Sequence, residues 1–227
     1  MQNEIFIQSV AKKLIALPAL MGFAVGGDYA LWLHLRHRPP QTLELYCNEL
    51  IGGRRFSSIE KAVRNAFGEQ FSNSSFSNLQ DAQFTVFQFT LHGIVSTIHI
   101  TLYQNVRLLD ELEYIGEIPL LSVRDIGLLK LSCLPLKARW IDFYDLDRIT
   151  DDIPLCILIR NLEIRSSIYN RLKDFCFYDL INSEGMLNNR SLLFPKILPD
   201  EHTEATDGFR KSIGEAYASW IKKVGAL

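Results

Sequence analysis

Apolar positions along this chain switch from helical spacing to alternation and back again. Over residues 4–17, Ile5, Phe6, Val10, Leu14 and Ile15 recur at helical spacing and Pro18 closes the run, which predicts an amphipathic helix. Gly22 to Val25 reads as a short buried strand leading into Gly26-Gly27, and Asp28 is placed to cap the helix that follows. Pro39-Pro40 cannot continue that helix, so Thr42–Cys47 is predicted to be extended. A further helix is predicted over Ile59–Phe67, with Ser57 or Ser58 as its cap. The period then becomes two. Residues 83–91 (QFTVFQFTL) and 94–102 (IVSTIHITL) alternate and are rich in β-branched and aromatic side chains, and His92-Gly93 between them predicts a tight hairpin. In the second segment Ile94, Ile98, Ile100 and Leu102 share the apolar face, while Thr97, His99 and Thr101 point the other way. The serine- and asparagine-rich residues 72–83 read as a polar loop. From Val123 the spacing is helical again. A long amphipathic stretch covers 154–181, a loop holds Pro195 and Pro199, and a last helix spans about 208–224.

This order predicts an α+β fold: a mixed sheet with flanking helices over residues 1–120, followed by a helical part over 121–227. The chain is 48% hydrophobic and 22% charged, the profile of a globular protein rather than a disordered one. A formal net charge of −2 gives no general attraction to nucleic acid, so RNA contact would rest on a local patch. No apolar run approaches the roughly 20 residues of a membrane helix, and the opening MQNEIFIQSVAKK lacks a signal-peptide layout. A cytoplasmic protein without membrane contact is expected. Cys47, Cys133, Cys156 and Cys176 are scattered and form no CxxC pair, so reduced core cysteines are expected rather than zinc or disulfides. His34, His92 and His202 have no partners at ligand spacing.

The segment from Phe23 to Tyr46, FAVGGDYALWLHLRHRPPQTLELY, is the most specific motif. Gly26-Gly27, Ala30-Leu31, Leu33, Leu35 and His37-Arg38 follow, with one extra residue after the glycines, a pattern of the form GG-T-A-L-x-L-x-L-x-H-R-x-S-x-D-L-D-F. A second set comprises Asp125-Ile126 with Lys130, then Lys137-Ala138-Arg139 before Asp142-Phe143-Tyr144-Asp145-Leu146. Together these resemble nucleotidyltransferase-fold proteins, in particular the AbiEii/AbiGii abortive-infection toxin family, over about residues 20–150. The chain departs from that pattern in two places. Thr42-Leu43-Glu44 stands where the family has Asp-Leu-Asp, and Trp140-Ile141 stands where it places an arginine before the first later aspartate.

The resemblance implies a nucleotidyltransferase-like sheet, magnesium and a nucleoside triphosphate as ligands, an RNA acceptor such as tRNA, and a cognate antitoxin as partner. It also implies a role for Lys130 at the triphosphate. Two carboxylates at i and i+2 on a strand share one face and can grip metal, with a third acid from a neighbouring strand. Here the first position is Thr42, the second is Glu44, and residues 83–102 contain no Asp or Glu. His99 and Thr101 occupy the polar face where the third acid belongs. Glu44 is either a plain solvent-facing strand residue or, alone and together with substrate phosphates, a weak holder of magnesium. The expected outcome is a degenerate site: a non-catalytic relative retaining at most nucleotide or partner binding. The rival is an active transferase using Glu44, Lys130 and the Gly-Gly turn.

The remaining candidates have two readings each. Gly26 and Gly27 either let a phosphate approach the backbone at a helix start or simply make a tight turn. Arg36, His37 and Arg38 either complement the end of the helix dipole or contact nucleotide phosphates, with Arg38 the nucleotide-binding candidate. Arg54-Arg55 form a second small basic patch. Asp142 and Asp145 lie three apart on one helix face, placed either to pair with Lys130, Lys137 or Arg139 or to bind metal.

Overall fold

The computed structural model describes residues 2–78, 85–93, 96–137, 140–169, 219 and 222. They fall into two compact units, Met1–Ile126 and Gly127–Leu227. The fold is α+β.

The first unit is built on a seven-stranded mixed sheet. Its strands are β1 (Ala24–Gly26), β2 (Thr42–Tyr46), β3 (Phe71–Asn78), β4 (Thr85–His92), β5 (Thr97–Tyr103), β6 (Glu113–Ile115) and β7 (Ile118–Leu120). They lie in the order β3-β4-β5-β2-β1-β7-β6. The β2–β5 and β1–β7 pairs are parallel and the others antiparallel. The helices are α1 (Gln2–Ile15), α2 (Gly27–Leu35) and α3 (Gly52–Phe67). Alternation sorts the central strands: Leu43, Leu45, Ile98, Ile100, Leu102, Phe87, Phe89 and Leu91 are buried on one face. Phe56 of α3 meets Phe87 at 6.0 Å between ring centroids, and Lys13 of α1 lies 4.6 Å from the Phe67 ring centroid. Full burial of each of these large side chains contributes about 1.5–3 kcal/mol.

Several local expectations are corrected. The polar loop predicted over 72–83 begins as strand β3, which pairs with β4 through a register shift between Ser72 and Ser75. A serine-rich strand at the end of this order needs no apolar alternation of its own, because backbone bonds to β4 hold it. Phe71 anchors it, stacking on Phe89 at 5.5 Å beneath the Arg64 guanidinium. The predicted hairpin forms, but its connection lies beyond Gly93 and not at His92-Gly93: His92 belongs to β4 and pairs with Thr97, and the Gly93 amide donates to the Ser96 carbonyl at 2.7 Å. Residues 83–84, the rest of the predicted loop and Ile94 lie outside the described residues. Helix α3 starts at Gly52, so Ser57 and Ser58 lie inside it, and the Ser58 hydroxyl donates to the Arg54 carbonyl at 3.2 Å. The β6–β7 hairpin, turning at Gly116 with φ +62°, had no counterpart among the predicted elements.

The described part of the second unit is helical: the remainder of α4 (Val123–Lys137), α5 (Trp140–Asp152) and α6 (Leu155–Tyr169). Gly127 lets α4 approach closely, since a Cβ there would lie 3.2 Å from Ile149 and 3.4 Å from Leu158. Leu128, Leu131, Phe143, Leu146, Leu155 and Leu162 complete the buried set. Helix α4 opens on an N-cap in which the Ser122 hydroxyl accepts from the Asp125 amide at 3.0 Å. The Asp125 carboxylate then accepts from the Leu109 and Asp110 amides at 2.9 and 3.0 Å, tying the preceding loop to the helix start. The predicted continuation of α6 to residue 181 lies outside the described residues, as does most of the predicted helix over 208–224. Cys47 is buried, and burial pushes its thiol up, but Cys156 is exposed on α6 rather than in the core.

Tyr29 offers a direct test of the packing beside the sheet. Its side chain is fully buried and stacks on Trp32 at 5.8 Å, yet its hydroxyl has no hydrogen-bond partner among the described residues. Burial pushes its pKa up to about 12, with Arg36 pulling the other way. Tyr29→Phe removes a buried donor that makes no bond, so stability should hold or rise by about 1 kcal/mol in urea unfolding. A loss of similar size would show that the hydroxyl is bonded through an ordered water.

Candidate functional site

The open face of the sheet gathers the polar members of three strands. In the parallel β2–β5 pair Thr42 faces His99 and Glu44 faces Thr101, and across β4 those residues meet Thr90 and Gln88. The His99 Nδ1 and the Thr90 hydroxyl lie 3.2 Å apart. Thr42, Glu44 and Thr101 are half-buried and His99 is exposed, so this face is reachable from solvent. The three positions at which the resemblance places acids are thus neighbours in space. Only Glu44 is a carboxylate.

Glu44 is held at two points. Gly26 and Glu44 are register partners across the antiparallel β1–β2 pair, and the Glu44 carboxylate lies directly against Gly27. The Tyr46 hydroxyl donates to Glu44 Oε2 at 2.6 Å. Tyr46 in turn stacks on Tyr103 at 4.7 Å and 12°. A Cβ on Gly26 would sit 2.5 Å from the Tyr46 ring. Both glycines of the motif are therefore required by side chains of the facing strand, and Gly27 by its φ of +56° as well. Tyr46 was missed by sequence reasoning, although its i+2 spacing from Glu44 marks it as sharing that face.

The basic groups near this turn have structural partners. Arg38 is buried, with its guanidinium 2.7 Å from Asp28 Oδ1 and donating to the Pro39 carbonyl at 3.3 Å. The expected capping role of Asp28 is corrected: Gly26 is the N-cap of α2, no side chain bonds at that position, and Asp28 within the first turn pairs with Arg38. The pair ties the start of the helix to the loop beyond its end. Arg36 adopts the left-handed conformation at the C-cap, φ 53°, and lies 4.0 Å from the Trp32 ring centroid. Arg55 bonds Glu49 at 2.9 Å and the Met21 carbonyl at 2.7 Å, while Arg54 is exposed. His34 bonds the Leu121 carbonyl at 2.9 Å.

In the second unit the structure brings Lys130, Asp142 and Asp145 together. The Lys130 Nζ lies 3.2 Å from Asp142 Oδ1 and 2.7 Å from Asp145 Oδ2, with Lys130 8% and Asp145 0% exposed. A lysine so enclosed is neutralising buried carboxylates rather than snorkelling to water. Asp147, absent from the sequence candidates, is also fully buried and bonds Arg148 at 2.7 Å. The run Asp142-Phe143-Tyr144-Asp145-Leu146-Asp147 already contained it. Lys137 and Arg139 have side chains outside the described set.

These donor sets do not fit a two-metal centre. Among the described residues no group of three or more His, Cys, Asp or Glu converges for a metal ion, and the sheet face offers one carboxylate with hydroxyls and an imidazole around it. No helix among the described residues is long and apolar enough to cross a membrane. No family model matches the chain, and no curated protein matches it.

Proposed function

We propose that this chain is a nucleotidyltransferase-fold relative of the AbiEii/AbiGii toxins in which metal-dependent transfer has been lost and nucleotide or partner binding is what remains. One observation supports this most directly: Thr42, Glu44 and Thr101 are adjacent on one reachable polar face, in the places where the resemblance implies three acids, and two of them are hydroxyls. Threonine hydroxyls are weak ligands for a hard cation at neutral pH, so magnesium would be held loosely, by Glu44 and the phosphates of a bound nucleotide. The setting would be a cytoplasmic toxin–antitoxin or abortive-infection pair, with a cognate antitoxin or an RNA such as tRNA as partner.

The deciding experiment restores the acids. Thr42→Asp, Glu44→Asp and Thr101→Asp combined should gain magnesium binding by calorimetry, while the natural chain shows little and transfers no labelled nucleotide to a tRNA pool. The rival reading is an active transferase moving a nucleotide from a triphosphate to RNA. Magnesium-dependent labelling of RNA by the natural chain, abolished by Glu44→Ala, would establish the rival and overturn the proposal.

A further inference from the structure

We propose that Tyr46 is a positioning residue for Glu44, fixing the direction in which its carboxylate points on the open sheet face. The inference rests on the reading above only in taking Glu44 as the functional acid.

Three contacts make the tyrosine a rigid donor. Its ring is 6% exposed and stacked on Tyr103 at 4.7 Å. Its opposite edge is closed by the Gly26 backbone, where even a methyl group would overlap it. With the ring fixed, the hydroxyl oxygen is fixed too, and it donates to Glu44 Oε2 at 2.6 Å. A donor fixed in this way selects one rotamer from the several a glutamate can adopt. Gly27 limits the carboxylate from the other side. Glutamate has one more rotatable bond than the aspartate the family uses, so it needs such a clamp more. The Tyr46–Tyr103 stack joins neighbouring register partners of β2 and β5, so the clamp is built into the same strand pair that sets the site.

The test follows the Glu44 side chain by NMR in glutamate-labelled protein at one fixed pH, its signals assigned by their loss in Glu44→Gln. In the natural chain the scalar couplings along the side chain should report a single rotamer. Tyr46→Phe keeps the ring and removes the donor, and should average those couplings toward a mixture of rotamers. Tyr103→Phe should leave them unchanged, because stacking persists. Tyr103→Ala, which frees the tyrosine ring, should average them as Tyr46→Phe does. A single rotamer retained in Tyr46→Phe overturns the proposal. The measurement needs no ligand, so it succeeds or fails independently of nucleotide binding. A parallel ATP titration separates the two ideas. A natural chain that binds no ATP while Tyr46→Phe averages the couplings leaves Tyr46 as the positioning residue and removes the nucleotide reading.

Discussion

Replacing Lys130 with methionine should lower the free energy of unfolding by about 3–5 kcal/mol, the range seen when one partner of a buried ion pair is deleted. The lysine is 8% exposed and its ammonium lies within 3.2 Å of two carboxylates, Asp142 and Asp145, the second of them fully buried. Methionine fills the space of the side chain but leaves those carboxylates without this ammonium in a poorly hydrated setting. Asp145→Asn in the same chain should recover part of the loss. Guanidinium unfolding of the three proteins checks this. A loss under 1 kcal/mol would mean that Lys130 turns readily to solvent and that the cluster is not what secures this unit. The result also governs how ligand experiments are read. A Lys130→Ala chain that fails to bind ATP is informative only if its fold is intact.

What was legible in the sequence follows from which signals are periodic. Alternation over 83–91 and 94–102 marked β4 and β5, and the β-hydroxyl and imidazole positions of β5 were placed on the correct face because a strand has only two. Three-residue spacing put Asp142 and Asp145 on one side of α5, where they meet Lys130. The failures have a common origin in contacts that have no period. Strand β3 is held by pairing to β4, which no local composition announces in a run of serines and asparagines. The β6–β7 hairpin is built from three-residue strands, too short to show alternation. Asp28 looked like a cap because it follows a turn, yet its partner, Arg38, is ten residues away across a loop. The glycine pair illustrates the limit most clearly. Two glycines before a helix suggest a place for phosphate, whereas here the Glu44 and Tyr46 side chains of the facing strand lie against them.

That last contact predicts a strong effect from Gly27→Ala. The residue sits at φ +56°, where an L-residue costs roughly 1–2 kcal/mol. The new methyl group would overlap the Glu44 carboxylate and come within 3.1 Å of its Cβ. Overpacking of this kind costs about 1–3 kcal/mol, so the total loss should be about 2–5 kcal/mol. The two parts can be separated. A carboxylate is the far end of a flexible side chain and could swing aside, but doing so here gives up the Tyr46 hydrogen bond. In a Glu44→Ala background most of the overlap is gone and only the backbone cost remains. The double-mutant cycle should therefore show a coupling on the order of 1–2 kcal/mol between positions 27 and 44. Additive effects would mean that Glu44 leaves the turn without penalty, and that the glycine is needed for its backbone angle alone. In that case the turn is open to a phosphate, and Gly27 regains the role its position in the motif implies.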